Sequence, residues 1–312
     1  MNTFQYSTRN ECPICKNNNY TILFKKPTNS NVLKKYFKWR LPRLKSEEFI
    51  FECTIVECKN CSLIYHVNYL NQNQKDKIYG AEDSNLTKYK KLKRKKNTKK
   101  IKNIYNRNLN IVFHLLNKNK NIKVLDFGSG WGEWAAFSSK YGFETFGCEI
   151  DDFKIKYSNK NNLKLLNIDN IKEKSINFIN TEQVFEHLED PIKYIKLFEK
   201  IMTNNGVVRI SVPNGIKIKK NIKYNYNWLV KNKSSYNSLN PIWLFEHINC
   251  YTPKSIIYMM ENNGFRQIKL SFFKYLFINF NNTSIIKLFY DALNHSLLYR
   301  KTNLYFRKKN LN

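Results

Sequence analysis

The sequence predicts an α/β fold: a mostly parallel sheet with helices on both faces, preceded by a small cysteine-bearing segment. Three observations carry that expectation. From residue 121 onward, short β-branched apolar runs alternate with helical periodicities. A glycine turn, VLDFGSGWGEW at residues 124–134, joins the first strand of the series to its helix. Two C-x-x-C pairs, Cys12/Cys15 and Cys58/Cys61, stand ahead of it.

Each element has its own reason. Residues 122–127 have the length and β-branched content of a buried strand, and residues 133–141 put Trp134, Phe137 and Tyr141 on one helical face. Strand 144–149, helix 152–159, and strands 164–167 and 176–180 follow. Helix 191–202 opens on proline, which the first turn tolerates, and is expected to stop before Asn204, Asn205 and Gly206. Val207 begins a buried strand closed by Pro213, helix 253–263 ends at Gly264, and strands lie near 267–272 and 304–308. Residues 282–298 read as helical and interrupt the last pair of strands, one of which is antiparallel. Residues 214–244, rich in Tyr, Trp, Lys and Asn, follow a strand end, where ligands bind in such sheets; they are placed to be a lid, or form an elaborate loop. The expected division is 1–75 for the cysteine segment, 76–120 for a basic helical connector and 121–312 for the α/β domain.

Bulk composition narrows the class. Of 312 residues, 42% are hydrophobic and 15% aromatic, enough for a packed core and against wholesale disorder. The amino terminus lacks the apolar run of a secretion signal, and the best apolar run, 275–280, is far too short to span a bilayer. Seven cysteines, an odd number with two tight pairs, favour metal binding in a reducing cytoplasm over a disulfide framework. The formal charge of +30 invites a nucleic-acid partner, with residues 88–102 as the densest block. Lysine is enriched throughout, however, and Tyr89, Leu92, Ile101, Ile104 and Tyr105 punctuate the block as in a solvated helix packed along one edge. A nucleic-acid partner is therefore not favoured.

Glycines on a strand-to-helix turn let backbone N–H groups approach a ligand, which suits a nucleotide-like cofactor. The spacing is G-x-G-x-G, at Gly128, Gly130 and Gly132, with Asp126 two residues before the first glycine. The next strand ends in Glu149, a carboxylate suited to ribose hydroxyls. With the later segments FINTEQVFEHLEDP, VVRISVPN and FEHINCYTPKSIIYMMENNGF, the chain resembles the class I S-adenosylmethionine-dependent methyltransferases over roughly residues 121–272. Within them it is similar to the small-molecule O-methyltransferases that include the ubiquinone-biosynthesis enzymes.

That resemblance implies a Rossmann-like, seven-stranded sheet. It implies S-adenosylmethionine as cofactor, with Gly128, Ser129 and Gly130 beside its methionine portion. Asp126 would meet the amino group, Glu149 the ribose and Ile150 the adenine, with residues 181–183, including Glu182 and Gln183, beside the sulfonium. Asp169 and Asn170 are equivocal for the adenine amino group. Ser129 replaces a frequent cysteine and Asn177 a frequent aspartate. Gln183, Glu186 and His187 have the spacing to share one helical face, and His247 could converge on them. Glu186, His187 and His247 are thus candidate catalytic residues on the acceptor side, acting as a base or holding a second divalent ion, with a structural histidine that satisfies backbone carbonyls as the third reading of His187. Gln183, standing where related ion-binding enzymes carry Glu, weakens a hard-cation site.

Four thiolates, Cys12, Cys15, Cys58 and Cys61, suit structural zinc in a closed tetrahedral site, against the alternative of metal-free thiols. The CKNCSLIYHVNY run resembles the second knuckle of zinc ribbons that precede methyltransferase domains in carbohydrate gene clusters. Cys53 is a competing ligand, and Cys148 and Cys250 read as core thiols. The function expected is methyl transfer to a small-molecule, glycan or nucleotide-sugar acceptor, at a hydroxyl. The alternative is an RNA ribose 2′-O-methyltransferase.

Overall fold

The structure, a computed structural model, describes residues 6–31, 33–34, 51–70, 98–118, 121–151, 154–156, 158, 163–224, 239–244, 246–280, 285–296 and 302–309. In chain order the first strands are β1 (Ser7–Thr8), β2 (Tyr20–Pro27), β3 (Glu52–Cys58), β4 (Ile64–His66) and β5 (Asn68–Tyr69). Helix α1 (Thr98–Leu115) leads into β6 (Lys123–Phe127), α2 (Glu133–Tyr141), β7 (Glu144–Cys148), β8 (Lys164–Leu165) and β9 (Ile176–Glu182). Then come α3 (Pro191–Ile201), β10 (Met202–Ser211), α4 (Ile218–Tyr224), β11 (Asn249–Cys250) and α5 (Pro253–Glu261). The chain closes with β12 (Phe265–Ile268), α6 (Phe272–Asn279), α7 (Ile285–Ser296) and β13 (Asn303–Lys308).

Two compact units interleave along the chain, instead of following one another as consecutive segments. One comprises Met1–Lys88, Phe185–Ile192 and Val212–Met259; the other comprises Tyr89–Val184, Lys193–Ser211 and Met260–Asn312.

The second unit holds a seven-stranded sheet in the order β12-β13-β10-β9-β6-β7-β8. Its five central and outer strands β10, β9, β6, β7 and β8 pair in parallel, and β13 is antiparallel to both β10 and β12. From β6 the chain first builds outward through β7 and β8, then crosses to β9 on the other side. The order therefore reverses between β7 and β9, and open α/β sheets bind their ligands at such a point, beyond the carboxyl ends of the strands. One face buries Val124, Phe178, Val207 and Tyr305 against Leu109, Val112 and Leu115 of α1 and against Tyr275, Ile278 and Leu288 of α6 and α7. On the other face Phe127 meets Tyr194 and Phe198 of α3 at centroid separations of 5.1 Å. Each such buried side chain contributes roughly 1.5–3 kcal/mol relative to exposure.

Two local expectations are corrected here. The helix stops at Ile201, before Asn204 as expected, but the strand expected to begin at Val207 begins at Met202: Met202 already pairs with Ile176, and the asparagines form an irregularity before pairing resumes at Val207. The strand expected to reach residue 272 stops at Ile268, because the Ser271 side chain accepts from Lys274 N and caps α6.

The first unit pairs β11-β4-β3-β2 in an antiparallel sheet, with β1 and β5 as a separate pair. Its core gathers Phe24, Phe51, Cys53, Ile55, Ile64 and Leu70 with Ile218, Ile222, Leu239, Ile242 and Leu244. The described flanks of the segment read as a lid or loop are therefore interior packing. Residues 225–238 of that segment, and 88–97 of the basic block, lie outside the described residues.

Candidate cofactor site and side-chain clusters

Asp126, Glu149 and Glu182 stand at or just past the carboxyl ends of β6, β7 and β9. Gly128, Gly130 and Gly132 all have positive φ, at 72°, 56° and 73°, so the turn needs residues without a Cβ. A Cβ on Gly128 would lie 2.4 Å from Val184 Cγ2, whereas one on Gly130 would meet nothing within 4 Å. The open space is thus over Gly130. Gly147 was missed in the sequence: its bare Cα leaves room for the turn, since a Cβ would lie 2.9 Å from Ser129 Oγ.

Four N–H groups of the turn, those of Gly128, Ser129, Gly130 and Gly132, bond within the protein. Gly128 and Ser129 both donate to Cys148 O (2.8 and 3.0 Å), and Gly130 N donates to Glu149 Oε2 (2.7 Å). The other Glu149 oxygen accepts from Ile150 N (2.9 Å) and Asp151 N (3.1 Å). Glu149 is therefore held by three backbone donors, which leaves about one of its four lone-pair sites for a hydroxyl. The buried Ser129 Oγ has no hydrogen-bond partner among the described residues. An orphaned hydroxyl, an oriented carboxylate and open space above a glycine suit a polar cofactor in this cradle. Ile150 is 76% exposed beside it, and Asp169 and Asn170 are both exposed on a 3-10 turn at Ile168–Asn170.

Behind the turn runs a polar row that sequence reading missed. Asp126, Asn180 and Arg209 are register partners on β6, β9 and β10. Asn180 donates to Asp126 Oδ1 (2.7 Å) and accepts from Arg209 (2.6 Å). Arg209, 2% exposed, also reaches Glu182 Oε2 (3.1 Å) and Asn303 Oδ1 (2.7 Å). Burial pushes the Asp126 carboxyl up to about 7, against the pull of the Asn180 hydrogen bond. Burial works against the Arg209 charge too, but Glu182, Tyr305 and Asp126 together outweigh it and hold the guanidinium above its ordinary value. Burial likewise raises the Tyr105 hydroxyl, and the charges of Glu182, Glu133 and Asp126 add to the effect. A signal for the row did exist: an arginine amid the apolar VVRISV strand.

A hollow of about 750 Å³ opens at the other end of this sheet, between Ile122, Asn177, Thr203 and Arg307. It lies at the amino ends of the strands, the wrong end for a ligand crevice in an open α/β sheet.

In the first unit, Glu186 and His187 occupy a 3-10 turn, Phe185–His187, and their ligand atoms and that of His247 lie within 4.8 Å of one another. The single helical face expected for Gln183, Glu186 and His187 does not form. Gln183 precedes the turn at φ 59°, and its N–H bonds Ser211 O. Asn249 Nδ2 holds the turn by donating to Phe185 O and Leu188 O, and Arg9 holds Asn249 in turn (2.9 Å). His187 Nδ1 lies 2.7 Å from Glu246 O and His247 Nδ1 lies 2.6 Å from Asn240 O. A carbonyl only accepts, so both Nδ1 atoms carry hydrogen, and Nε2 is the basic nitrogen of each neutral ring. Glu186 is buried, 4.0 Å from His187 Nε2, and Trp243 stacks on His247 at 5.9 Å.

The four expected cysteines also come together. In each knuckle the first cysteine's carbonyl accepts from the N–H four residues on, Lys16 to Cys12 and Ser62 to Cys58, both at 3.0 Å. Those two donors share a left-handed φ of 58° and 61°, so the knuckles repeat one geometry. Their sulfurs interleave, Cys12 with Cys61 at 3.5 Å and Cys15 with Cys58 at 3.4 Å, all four lying within 4.8 Å of one another. These are free thiols at separations that suit four bonds to one tetrahedral ion. Cys53 is not among them; it is buried in the core, 4.0 Å from His66 Nδ1. Cys148 and Cys250 are buried as expected.

A profile described as a methyltransferase domain matches residues 94–270. The chain belongs to the methyltransferase domain family. This methyltransferase is therefore an enzyme that uses S-adenosylmethionine. No curated protein matches it. Among solved structures it is similar to the plantazolicin methyltransferase BpumL in complex with SAH, at 14% identity over 77% of this chain and 90% of that one, with a TM-score of 0.44. It is also similar to a putative sarcosine dimethylglycine methyltransferase from Galdieria sulphuraria, at 14% identity over 68% and 86%, with a TM-score of 0.41. A methyltransferase from Mesorhizobium loti is similar at 11% over 60% and 91%, with a TM-score of 0.41. No helix among the described residues is long and apolar enough to cross a membrane.

Proposed function

We propose that this methyltransferase methylates a hydroxyl of a small-molecule or glycan acceptor, the cofactor lying over Gly130. The observation that carries the reading is the cradle itself: open space above Gly130, the orphaned Ser129 hydroxyl and Glu149 fixed by three N–H donors. Bound S-adenosylmethionine supplies an electrophilic methyl group. Glu149 accepts from a ribose hydroxyl with its remaining lone pair, on Oε2, and Ile150 offers an apolar surface to the adenine. Asp126 and Glu182, both tied to the Arg209 row, receive the ammonium of the methionine portion; Gly128 and Gln183 border it.

On the acceptor side, His187 takes the hydroxyl proton at Nε2, and the buried Glu186 carboxylate stabilises the imidazolium. Trp243 and His247 form a stacked aromatic pair suited to a sugar ring. A second reading rests on the 4.8 Å grouping of Glu186, His187 and His247, which also suits a divalent ion. The four cysteines hold structural zinc and take no part in the chemistry.

Calorimetry with S-adenosylmethionine and turnover on a panel of hydroxylated acceptors test the reading together. His187→Ala is expected to bind cofactor as the parent does while turnover falls about 10²–10⁴-fold. Absence of cofactor heat removes the cradle assignment, and an undiminished rate removes His187. Metal analysis returning two ions per chain, one lost in His247→Ala, replaces the base with the ion.

A further inference from the structure

Helices α6 and α7 are apolar on more than their buried faces. Tyr275, Ile278 and Leu288 face the core, yet Phe273 and Phe277 are each 78% exposed and Ile286 is 86% exposed. Phe280 continues the α6 stripe, while Phe289 and Leu293 continue that of α7 at helical spacing. The two helices are joined by an edge-on contact of Phe272 with Phe289 at 5.6 Å. Elsewhere among the described residues the exposed large apolar side chains are scattered: Tyr6, Tyr20, Ile22, Ile150 and Ile216. A concentration of this kind marks an interaction surface.

Charge identifies the partner. Between residues 269 and 309 the sequence has one acid, Asp291, and it is buried in an ion pair with Arg107. Lys274 and Lys287 are exposed on the same helices, and Lys269 is exposed just ahead of α6. Aromatic and branched apolar residues interleaved with lysines, on helices of 8 and 12 residues, are too short to span a bilayer and suited to lie in its headgroup region. A second copy is the poorer occupant, because pairing this face would bring its own lysines together in chains of net charge +30. We propose that α6 and α7 dock the enzyme peripherally on a bilayer rich in anionic lipid.

Flotation of the full chain with vesicles tests this, comparing phosphatidylcholine alone with phosphatidylcholine containing about one-third phosphatidylglycerol, in physiological salt. The parent is expected to float with the anionic vesicles only. Phe273→Ser/Phe277→Ser should reduce that binding about tenfold or more, and Lys274→Glu/Lys287→Glu should do likewise, while melting and cofactor affinity stay as in the parent. No flotation with anionic vesicles overturns the proposal. So does flotation that the phenylalanine variant leaves unchanged, since attraction would then come from charge elsewhere. Sedimentation showing a dimer that this variant dissociates assigns the face to a second copy and overturns it too.

Discussion

The two units solve the problem of buried polar groups in opposite ways. In the sheet unit, Asp126, Asn180 and Arg209 sit side by side across three strands, and each satisfies the next with a short hydrogen bond. Nothing external is required, and the apolar layer of Val124, Phe178 and Val207 continues directly below. In the cysteine unit, the paired knuckles converge four thiols whose mutual hydrogen bonds are weak. Its apolar core is assembled from distant stretches of chain. On the proposal that the four thiols hold zinc, the sheet carries its own stability while the cysteine unit borrows it from an ion.

The largest expected effect tests that division. Chelating the metal, or substituting Cys58→Ser, should remove about 10 kcal/mol or more of binding free energy that doubles as folding free energy. Hydrogen exchange read by mass spectrometry should then show β2, β3 and β4 losing protection while β6, β9 and β10 keep theirs. Equal loss everywhere, or none, breaks the comparison.

The next effect belongs to the polar row. Arg209→Met removes a buried cation from between Asn180, Glu182 and Asn303, leaving a buried amide and a half-buried carboxylate without their donor. Breaking a buried pair in this way costs about 3–5 kcal/mol. Urea unfolding should show it, with zinc content unchanged.

How much of this was legible depended on how local each feature is. The glycine turn, Asp126, Glu149 and the α2 boundaries are contiguous in sequence, so spacing alone exposed them. The knuckles were legible for the same reason, each being five residues of self-contained turn. The four-stranded sheet was not. Its edge strand, Asn249–Cys250, and the helix that fills its core, Ile218–Tyr224, come from far along the chain, and no local periodicity links them to Cys12 or Cys58. The Arg209 row needed strand register to be seen, because three polar residues in three apolar strands become neighbours only when the strands align. The basic block and the centre of the supposed lid lie largely outside the described residues, so their readings remain those of the sequence.

A smaller effect distinguishes stability from binding at one residue. Asp126 has its carboxyl raised by burial from 3.8 to about 7. Below the lower value both folded and unfolded chains hold the proton. Between the two values the folded state holds a proton that the unfolded state has shed, so stability declines as pH rises, by up to a few kcal/mol, and levels off above about 7. Asp126→Asn keeps an acceptor for Asn180 and never ionises. It should flatten that slope and leave the protein as stable as the parent or more so near pH 8, while weakening cofactor binding. Melting curves at about pH 5 and about pH 8, with calorimetry beside them, would read both. A variant less stable than the parent near pH 8 would mean that the row values the charge at Asp126 more than it suffers from burying it.

The smallest effect separates Cys53 from the four clustered cysteines. Cys53 lies on β3 among Ile55, Ile64 and Phe24, and burial raises its thiol. It is chemically a small apolar side chain, whereas Cys58, five residues on in the same strand, is a candidate metal ligand. Cys53→Ala should therefore cost about 1 kcal/mol through the small cavity it leaves, and the zinc stoichiometry should not change. Cys58→Ala, which alters the same kind of side chain in the same strand, should abolish it. If Cys53→Ala lowered the metal content as well, the core would be contributing a ligand, and the separation between apolar packing and thiolate cluster in this unit would have to be redrawn.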